Sequence, residues 1–282
     1  MANFTLLAEN KNHDYIQQAY LAACSIKKYN KNANVCLITN DEITPKQKSV
    51  FDDIVEIPWY EQKESRFSAE HRWKVYHATP FDKTFVLDTD VLVLENIEHW
   101  WKFLDKKDLF FTSNIKTYRG TTYNTDYYRH SFKTHQLPNI YCALYYFKKC
   151  DDTHTFFKLL ELVMNNWELF YGQFAGGKYF QKFPSMDVSC AIAVKLLNIE
   201  KQVTSNTSFP HLTHMKLHGQ DWWDIKTESW QDKVGVYLDA DCDLFIGNYK
   251  QSGVFHYTEK NFVTQEMIET FEKGILWVYL WM

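Results

Sequence analysis

The sequence predicts an α/β protein in which a mostly parallel sheet is flanked by helices. Short apolar runs at residues 4–8, 34–39 and 54–57 alternate with segments that have helical periodicity. This alternation favours parallel strands joined by right-handed helical crossovers. Polar residues follow several of the runs, and α/β sheets bind ligands beyond the carboxyl ends of their strands. The 282 residues are expected to form a single domain.

The elements follow from local patterns along the chain. Residues 14–29 carry apolar side chains at helical spacing, and residues 72–78 resemble a helix that Pro80 stops. The later segments are expected to be strands at 85–87, 91–94, 140–147 and 254–257, helices at 155–167 and 186–197, an exposed loop at 113–135 and a flexible segment at 171–184. The aromatic stretch 275–282 is interpreted as a docking helix, an interface or a truncation point.

Composition excludes some function classes and favours others. The net charge of −4 and the pI near 6.3 give no global electrostatic case for binding nucleic acid. Aromatic residues make up 17% of the chain, and some are expected to line a cleft for a nucleobase or sugar ring. The sequence contains no G-x-G-x-x-G and no Walker-A motif. We therefore expect metal and side chains, rather than a glycine-rich loop, to hold any phosphate.

The cysteine pattern and the N-terminal sequence bear on the cellular compartment in which the protein is expected. The six cysteines are scattered and form no C-x-x-C pair, which predicts free, buried thiols in a reducing environment. Neither a signal peptide nor an apolar run of membrane-spanning length is visible. A cytoplasmic protein is expected. The composition is rich in Lys, Asn, Tyr and Phe, which suits an AT-rich genome and hence a bacterium or a phage-infected host cell.

The most informative stretch is the apolar run that ends in Asp88-Thr89-Asp90 and is followed directly by a second apolar run. Carboxylates at the mouth of a buried strand are costly unless they are paired, hydrogen-bonded or bound to a cation. Their oxygen atoms suit Mg²⁺ or Mn²⁺, which also bridges to substrate phosphates. The alternative is a pair of Asp side chains that cap local backbone groups.

Four segments in this order resemble those of GT-A glycosyltransferases, and most closely the family-8, glycogenin-like enzymes. Residues 80–90 resemble the helix end and metal-binding strand of that family. Arg72 lies at the spacing where the family has a basic residue, and Asp187 lies where it has an acid that faces the transferred sugar. Residues 255–260 resemble its late His-containing segment.

The resemblance implies roles for particular residues. It implies Mn²⁺ or Mg²⁺ bound by Asp88, Asp90 and His256, and Asp187 as the catalytic residue. The donor-binding residues that it implies are Ala8, Asn10, Tyr15, Arg72, Asp88, Thr89 and Lys260. Structural roles remain open at this stage: Asp187 as a helix N-cap, His256 in the core, Arg72 and Lys260 on the surface, and Tyr15 packing its helix.

The implied activity is transfer of a sugar from a nucleotide sugar, with a UDP-sugar expected, to a hydroxyl acceptor with retention at the anomeric carbon. Residues 1–112 would form the nucleotide-sugar-binding half and residues 113–282 the acceptor-side half. The chain departs from the family at Tyr141-Cys142-Ala143, where an Asn-Ser-Gly sequence is usual, and at Val188, where Gln is usual. These departures leave the donor sugar open.

The acceptor is open between a glycan, a lipid-linked precursor, a small molecule and a hydroxymethylated base in DNA. The last would need a basic aromatic face, for which the candidates are Arg119, Arg129, Lys133, His135, Tyr118, Tyr123, Tyr127 and Tyr128. The alternative is an acceptor loop with ordinary solvated charges. A nucleotide-sugar-binding protein without turnover is a further alternative. A nucleotidyltransferase is disfavoured because no glycine-rich loop lies near the N-terminus.

Overall fold

The computed structural model describes residues 1–60, 69–123, 129–177, 181–215 and 230–280. The strands are β1 (Asn3–Leu7), β2 (Asn34–Ile38), β3 (Asp53–Val55), β4 (Lys83–Leu87), β5 (Val91–Val93), β6 (Leu109–Thr112), β7 (Tyr141–Lys148), β8 (Leu212–His214), β9 (Val236–Leu238), β10 (Leu244–Ile246), β11 (Tyr249–Lys250) and β12 (Val254–His256). The α-helices are α1 (Tyr15–Tyr29), α2 (Pro45–Lys48), α3 (Val75–Ala78), α4 (Trp101–Leu104), α5 (His130–Thr134), α6 (Asp151–Asn165), α7 (Trp167–Phe174), α8 (Met186–Leu197), α9 (Glu200–Val203) and α10 (Gln265–Leu280).

A six-stranded sheet with the order β3-β2-β1-β4-β7-β6 forms the centre of the molecule. The first four strands in this order are mutually parallel, and β7 runs antiparallel to both of its neighbours. Leu6 of β1 lies in register with Leu37 of β2 and Leu87 of β4. The carboxyl ends of these strands therefore lie together, which confirms the predicted, mostly parallel α/β sheet and gathers the residues after each strand at one edge.

Helices cover both faces of this sheet. The helix α1 buries Ala19, Ala22 and Ala23 with Ile16 against β1 and β2, and these small side chains allow the helix axis to approach the strands closely. On the opposite face, α6 and α8 bury their apolar sides against β7. The ends of α1 and α8 agree with the predicted helices to within one residue.

A second, three-stranded sheet with the order β5-β12-β8 stands beside the main one. Its central strand, β12, pairs antiparallel with β5, so that His256 lies opposite Val91, and parallel with β8, so that His256 lies beside His214. Gly253 precedes β12 with a φ of +70°, and a Cβ there would meet His211 at 2.7 Å. Glycine is therefore required where the chain enters β12. The pairing places the end of β12 next to Asp90.

Some predicted segments differ from the observed ones. The strands β6 and β8 and the small sheet of β9, β10 and β11 were not predicted, because their runs are short and lack the alternation that signals a strand. Residues 171–184 were predicted to be flexible, but α7 extends to Phe174, since Trp167 and Tyr171 anchor it in the core. The C-terminal helix begins at Gln265, earlier than expected, and packs on α1 through Phe271. Residues 281–282 lie outside the described residues.

All six cysteines are free, as predicted, and all but the half-buried Cys150 are buried. Among the described helices, none combines the length and the apolar character that crossing a membrane requires.

Asn30 closes the end of α1 and offers a test of the packing. Its Oδ1 accepts the Ile97 N–H at 2.8 Å, and its Nδ2 lies 3.3 Å from the Glu95 carbonyl oxygen. The residue is fully buried, so Asn30→Ala leaves these backbone groups unpaired. We expect the free energy of unfolding to fall by about 1–3 kcal/mol, measured by urea denaturation. Asn32→Ala, at an exposed position in the adjacent loop, is the control. An equal effect of both variants would contradict this account.

Candidate functional site

A pocket of about 160 Å³ lies at the carboxyl edge of the main sheet. Its lining includes Glu9, Lys11, Tyr15, Ala69, Arg72, Asp88, Thr89, Asp90, Tyr145 and Lys260. Five predicted donor-binding residues are thus brought together. Ala8 and Asn10 lie beside the pocket and are not part of its lining. Asn10 accepts the Ile16 N–H at 3.0 Å through its side chain, which holds the start of α1.

Three potential metal ligands converge at this pocket. One ligand atom each from Asp88, Asp90 and His256 lies within 4.8 Å of the other two. The Nε2 atom of His256 is 3.1 Å from Oδ1 of Asp90. The turn between β4 and β5 supplies the two carboxylates, and the pairing of β12 with β5 supplies the imidazole.

Two cations compensate the carboxylates. Arg72 forms an ion pair with Asp88, and the Nζ atom of Lys260 is 2.6 Å from Oδ2 of Asp90. Burial acts to raise the pKa of Asp90, but the charges and hydrogen bonds of His256 and Lys260 outweigh it, so that this pKa lies far below its ordinary value. Asp90 is therefore an anion at neutral pH.

This arrangement fits a hard divalent cation. Two carboxylates and an imidazole are ligands that Mg²⁺ or Mn²⁺ accepts, and the Nδ1 atom of His256 is buried with no hydrogen-bond partner among the described residues. The contacts of both carboxylates are with a guanidinium, an ammonium and an imidazole. They do not support the alternative in which Asp88 and Asp90 cap backbone groups.

Thr89 and Tyr15 connect the carboxylate turn to its surroundings. The Thr89 hydroxyl lies 3.4 Å from Oε1 of Gln18 on α1. The Nζ atom of Lys260 lies 5.1 Å from the centre of the Tyr15 ring, a cation–π distance. Tyr15 therefore contributes to the wall of the pocket as well as to the packing of its helix.

Asp187 lies in the first turn of α8, and the helix cap is a different residue. The Ser185 side chain accepts the Val188 N–H, so Asp187 is not the N-cap. Its Oδ1 accepts the N–H of Cys142 at 2.8 Å, and its Oδ2 is 2.9 Å from Nη2 of Arg129. The Asp187 side chain is 28% exposed.

The backbone of Cys142 joins the two ends of the site. Its carbonyl oxygen lies 3.5 Å from Nη2 of Arg72, and its N–H donates to Asp187. Asp88, Arg72, Cys142 and Asp187 therefore form a continuous polar path from the candidate metal ligands to α8.

Sequence reasoning missed two residues of this region. His214 stacks on His256 with a centroid distance of 4.6 Å. No signal for it was visible in the sequence, because the strand β8 that ends at His214 was not predicted. Arg129 was assigned to a basic aromatic face, but it is buried and paired with Asp187. Tyr118 is also buried, and Tyr127 and Tyr128 lie outside the described residues. Of the remaining described members, Arg119 and Lys133 are exposed, and Tyr123 and His135 are half-buried. Arg129 and Tyr118 therefore do not belong to an exposed face.

The sequence matches no protein-family model and no curated protein. Solved structures with a similar fold are glycosyltransferases. The galactosyltransferase LgtC, in a complex with donor and acceptor sugar analogues, has a TM-score of 0.54 and 13% identity, over 97% of this chain and 95% of LgtC. An active-site mutant of LgtC has a TM-score of 0.51, 12% identity and coverage of 96% and 94%.

The glycosyltransferase GlyE of Streptococcus pneumoniae TIGR4 has a TM-score of 0.50 and 12% identity, over 98% of this chain. This chain spans only 60% of the length of GlyE. These likenesses confirm the predicted GT-A fold.

The cluster of Asp88, Asp90 and His256 predicts that a divalent cation binds in solution. In Asp90→Asn, one anionic ligand is lost, and we expect the affinity for Mn²⁺ to fall at least about tenfold. Electron paramagnetic resonance of free Mn²⁺ measures this directly. Asp105→Asn, which changes a half-exposed carboxylate paired with Lys83, should leave the affinity unchanged. Equal Mn²⁺ binding by wild type and Asp90→Asn would exclude this site.

Proposed function

We propose, from a fold that the chain shares with glycosyltransferases, that it transfers a sugar from a nucleotide sugar to a hydroxyl acceptor. The expected donor is a UDP-sugar, and the expected metal is Mn²⁺ or Mg²⁺ held by Asp88, Asp90 and His256. The observation that carries the proposal is the convergence of these ligands at the carboxyl edge of the sheet, where Asp88 and Asp90 line one pocket with Arg72 and Lys260 and the buried His256 contacts Asp90.

The chemistry requires such a set of groups. Breaking the bond between the anomeric carbon and a diphosphate places negative charge on the leaving phosphate, and a bound metal would supply Lewis-acid stabilisation of that charge. Arg72 and Lys260 would donate charge-assisted hydrogen bonds to phosphate oxygens. Both reach the pocket and are paired with carboxylates there.

The remaining residues bear on the two substrates. Asp187 is proposed to accept hydrogen bonds from hydroxyls of the transferred sugar, and Ala8, Asn10, Tyr15 and Thr89 to border the nucleoside. Retention at the anomeric carbon is proposed from the family resemblance. The departures at residues 141–143 and Val188 keep the donor sugar open, and the likeness to a galactosyltransferase at 13% identity does not decide it.

Among acceptors, a glycan, a lipid-linked precursor or a small molecule is favoured over a base in DNA. The DNA alternative depended on an exposed basic aromatic face, and two of its residues, Arg129 and Tyr118, are buried. We propose a cytoplasmic location, in which nucleotide sugars and reduced thiols coexist.

A screen of nucleotide sugars by thermal shift tests the donor class. A ligand that binds the native state raises the melting temperature by mass action. At a concentration of one hundred times its Kd, it stabilises the native state by about 2.7 kcal/mol. We expect a UDP-sugar with Mn²⁺ to produce the largest shift among UDP-, GDP- and dTDP-sugars. If none of them shifts the melting temperature, the proposed function fails. Hydrolysis of the binding donor by wild type but not by Asp90→Asn would exclude a binding protein without turnover.

The charges of the pocket predict that metal and diphosphate bind cooperatively. Arg72 and Lys260 already balance Asp88 and Asp90, so a divalent cation alone leaves excess positive charge that a diphosphate offsets. We expect Mn²⁺ to raise the affinity for UDP by about tenfold or more, and UDP to raise that for Mn²⁺ by the same factor. Isothermal titration calorimetry measures both.

Lys260→Met provides the variant for this coupling. Without the ammonium group, the metal no longer competes with Lys260 for Asp90. Mn²⁺ alone should therefore bind more tightly, and UDP should bind more weakly. The factor by which each ligand raises the affinity for the other should become smaller. Lys83→Met removes a lysine from a surface ion pair with Asp105 and serves as the control. An affinity for UDP that Mn²⁺ does not change would contradict the prediction.

A further inference from the structure

The guanidinium of Arg129 is held in one orientation by four contacts. Its Nη2 atom lies 2.9 Å from Oδ2 of Asp187 and also donates to the carbonyl oxygen of Ile140 at 2.9 Å. Its carbon Cζ lies 3.6 Å from the ring centre of Tyr141 and 4.3 Å from that of Phe132. The side chain is only 10% exposed. A planar group that is stacked on rings and hydrogen-bonded has little freedom to move.

These contacts fix Asp187 in turn. One carboxylate oxygen accepts the N–H of Cys142 on β7, and the other faces Arg129. A carboxylate has about four lone-pair sites, so both oxygens retain capacity for further donors. The 28% of the side chain that is exposed is the part that a ligand can reach. Asp187 is therefore an acceptor whose orientation is set before any ligand arrives.

The pairing also limits what Asp187 can do. The adjacent guanidinium compensates its negative charge, and this weakens it both as a stabiliser of positive charge at an anomeric carbon and as a nucleophile. Hydrogen bonding to a neutral hydroxyl survives this pairing, because the carboxylate oxygens keep lone pairs for a further donor. Tyr141, in the segment where the family that the chain resembles has an Asn-Ser-Gly sequence, is itself covered by the Arg129 guanidinium.

We infer that Arg129 is the positioning residue for Asp187, and that the pair recognises hydroxyl groups of the donor sugar rather than stabilising charge at its anomeric carbon. This inference rests on the proposed function and deepens it. It assigns to Arg129 the discrimination between a nucleotide sugar and the bare nucleotide, because Arg129 contacts the Asp187 end of the site and not the metal-binding end.

The experiment compares affinities for UDP and for nucleotide sugars in the presence of Mn²⁺. UDP-glucose and UDP-galactose are the first probes, followed by the UDP-sugar that gives the largest thermal shift. The variants are Arg129→Met, Arg129→Lys, Asp187→Asn and the double variant Arg129→Met/Asp187→Asn. Arg119→Met is the matched control, since it removes an exposed arginine that stacks on Tyr118 outside the pocket. Circular dichroism and the melting temperature establish that each variant is folded.

We expect Arg129→Met to weaken binding of the nucleotide sugar by about tenfold, the equivalent of losing one hydrogen bond to a charged group, and binding of UDP by less than about twofold. We expect Asp187→Asn to weaken binding of the nucleotide sugar and of UDP by the same factors. The double variant should bind the nucleotide sugar no more weakly than either single variant, because the effects of residues that act as a unit do not add. Arg129→Lys should recover part of the affinity, and kcat should fall together with the binding of the sugar.

Three results would overturn the inference. Equal losses for UDP and for the nucleotide sugar would show that Arg129 only supports the fold. No change in either affinity would show that it has no part in sugar recognition. A higher kcat in Arg129→Met would show that Asp187 acts through its charge, which Arg129 then moderates. Failure of wild type to bind UDP or any nucleotide sugar with Mn²⁺ is a different outcome, which overturns the proposed function itself.

Discussion

The carboxylate of Asp90 is almost inaccessible to water, and a charge in that position is tolerated only when partners replace its hydration. His256 and Lys260 supply that replacement from a part of the chain far removed in sequence. The turn after β4 and the pairing of β5 with β12 bring these partners together. Strand β4 ends at Leu87 and the chain turns into β5. The pairing of β5 with β12 then places an imidazole and an ammonium group against the carboxylate. Asp90 and Lys260 also line the pocket, together with Tyr15 and Arg72.

The site has two ends that the central strand β7 connects. At one end, the positive charges of Arg72 and Lys260 nearly balance the negative charges of Asp88 and Asp90 around a candidate metal position. At the other end, Asp187 and Arg129 balance each other within hydrogen-bonding distance. Both ends use the backbone of Cys142, through its carbonyl oxygen and its N–H respectively. The side chain at 142 can therefore differ from that of related enzymes without loss of this connection, whereas a shift of β7 would disturb both ends together.

The sequence was sufficient to predict the fold class, the ends of α1 and α8, and the gathering of Asp88, Asp90, Arg72, His256 and Lys260. The fold class and the helix ends follow from local periodicity, and Asp88, Asp90 and His256 follow polar patterns at strand ends. Arg72 and Lys260 were implied by the family resemblance. The partners of Asp187 were not predictable, because Arg129 is 58 residues away in sequence and sits in a polar segment whose composition indicates exposure. Its burial depends on the rings of Phe132 and Tyr141, which only the folded chain brings around it. The short strands β8, β9, β10 and β11 escaped prediction for the same reason: their pairing is determined by tertiary contacts rather than by propensity.

The pairing of β12 with β5 has a consequence for the order of folding. A nascent chain that has reached α4 already contains β1, β2 and β4, whose parallel pairing is complete without later segments. It also carries Asp90 with neither imidazole nor ammonium beside it, because those groups are synthesised more than 160 residues later. Until these groups dock, hydration stabilises the Asp90 carboxylate, so the turn after β4 is more stable in contact with water. The parallel part of the main sheet can therefore form early in synthesis, while the ion pairs at its edge are completed only when the last strand is in place.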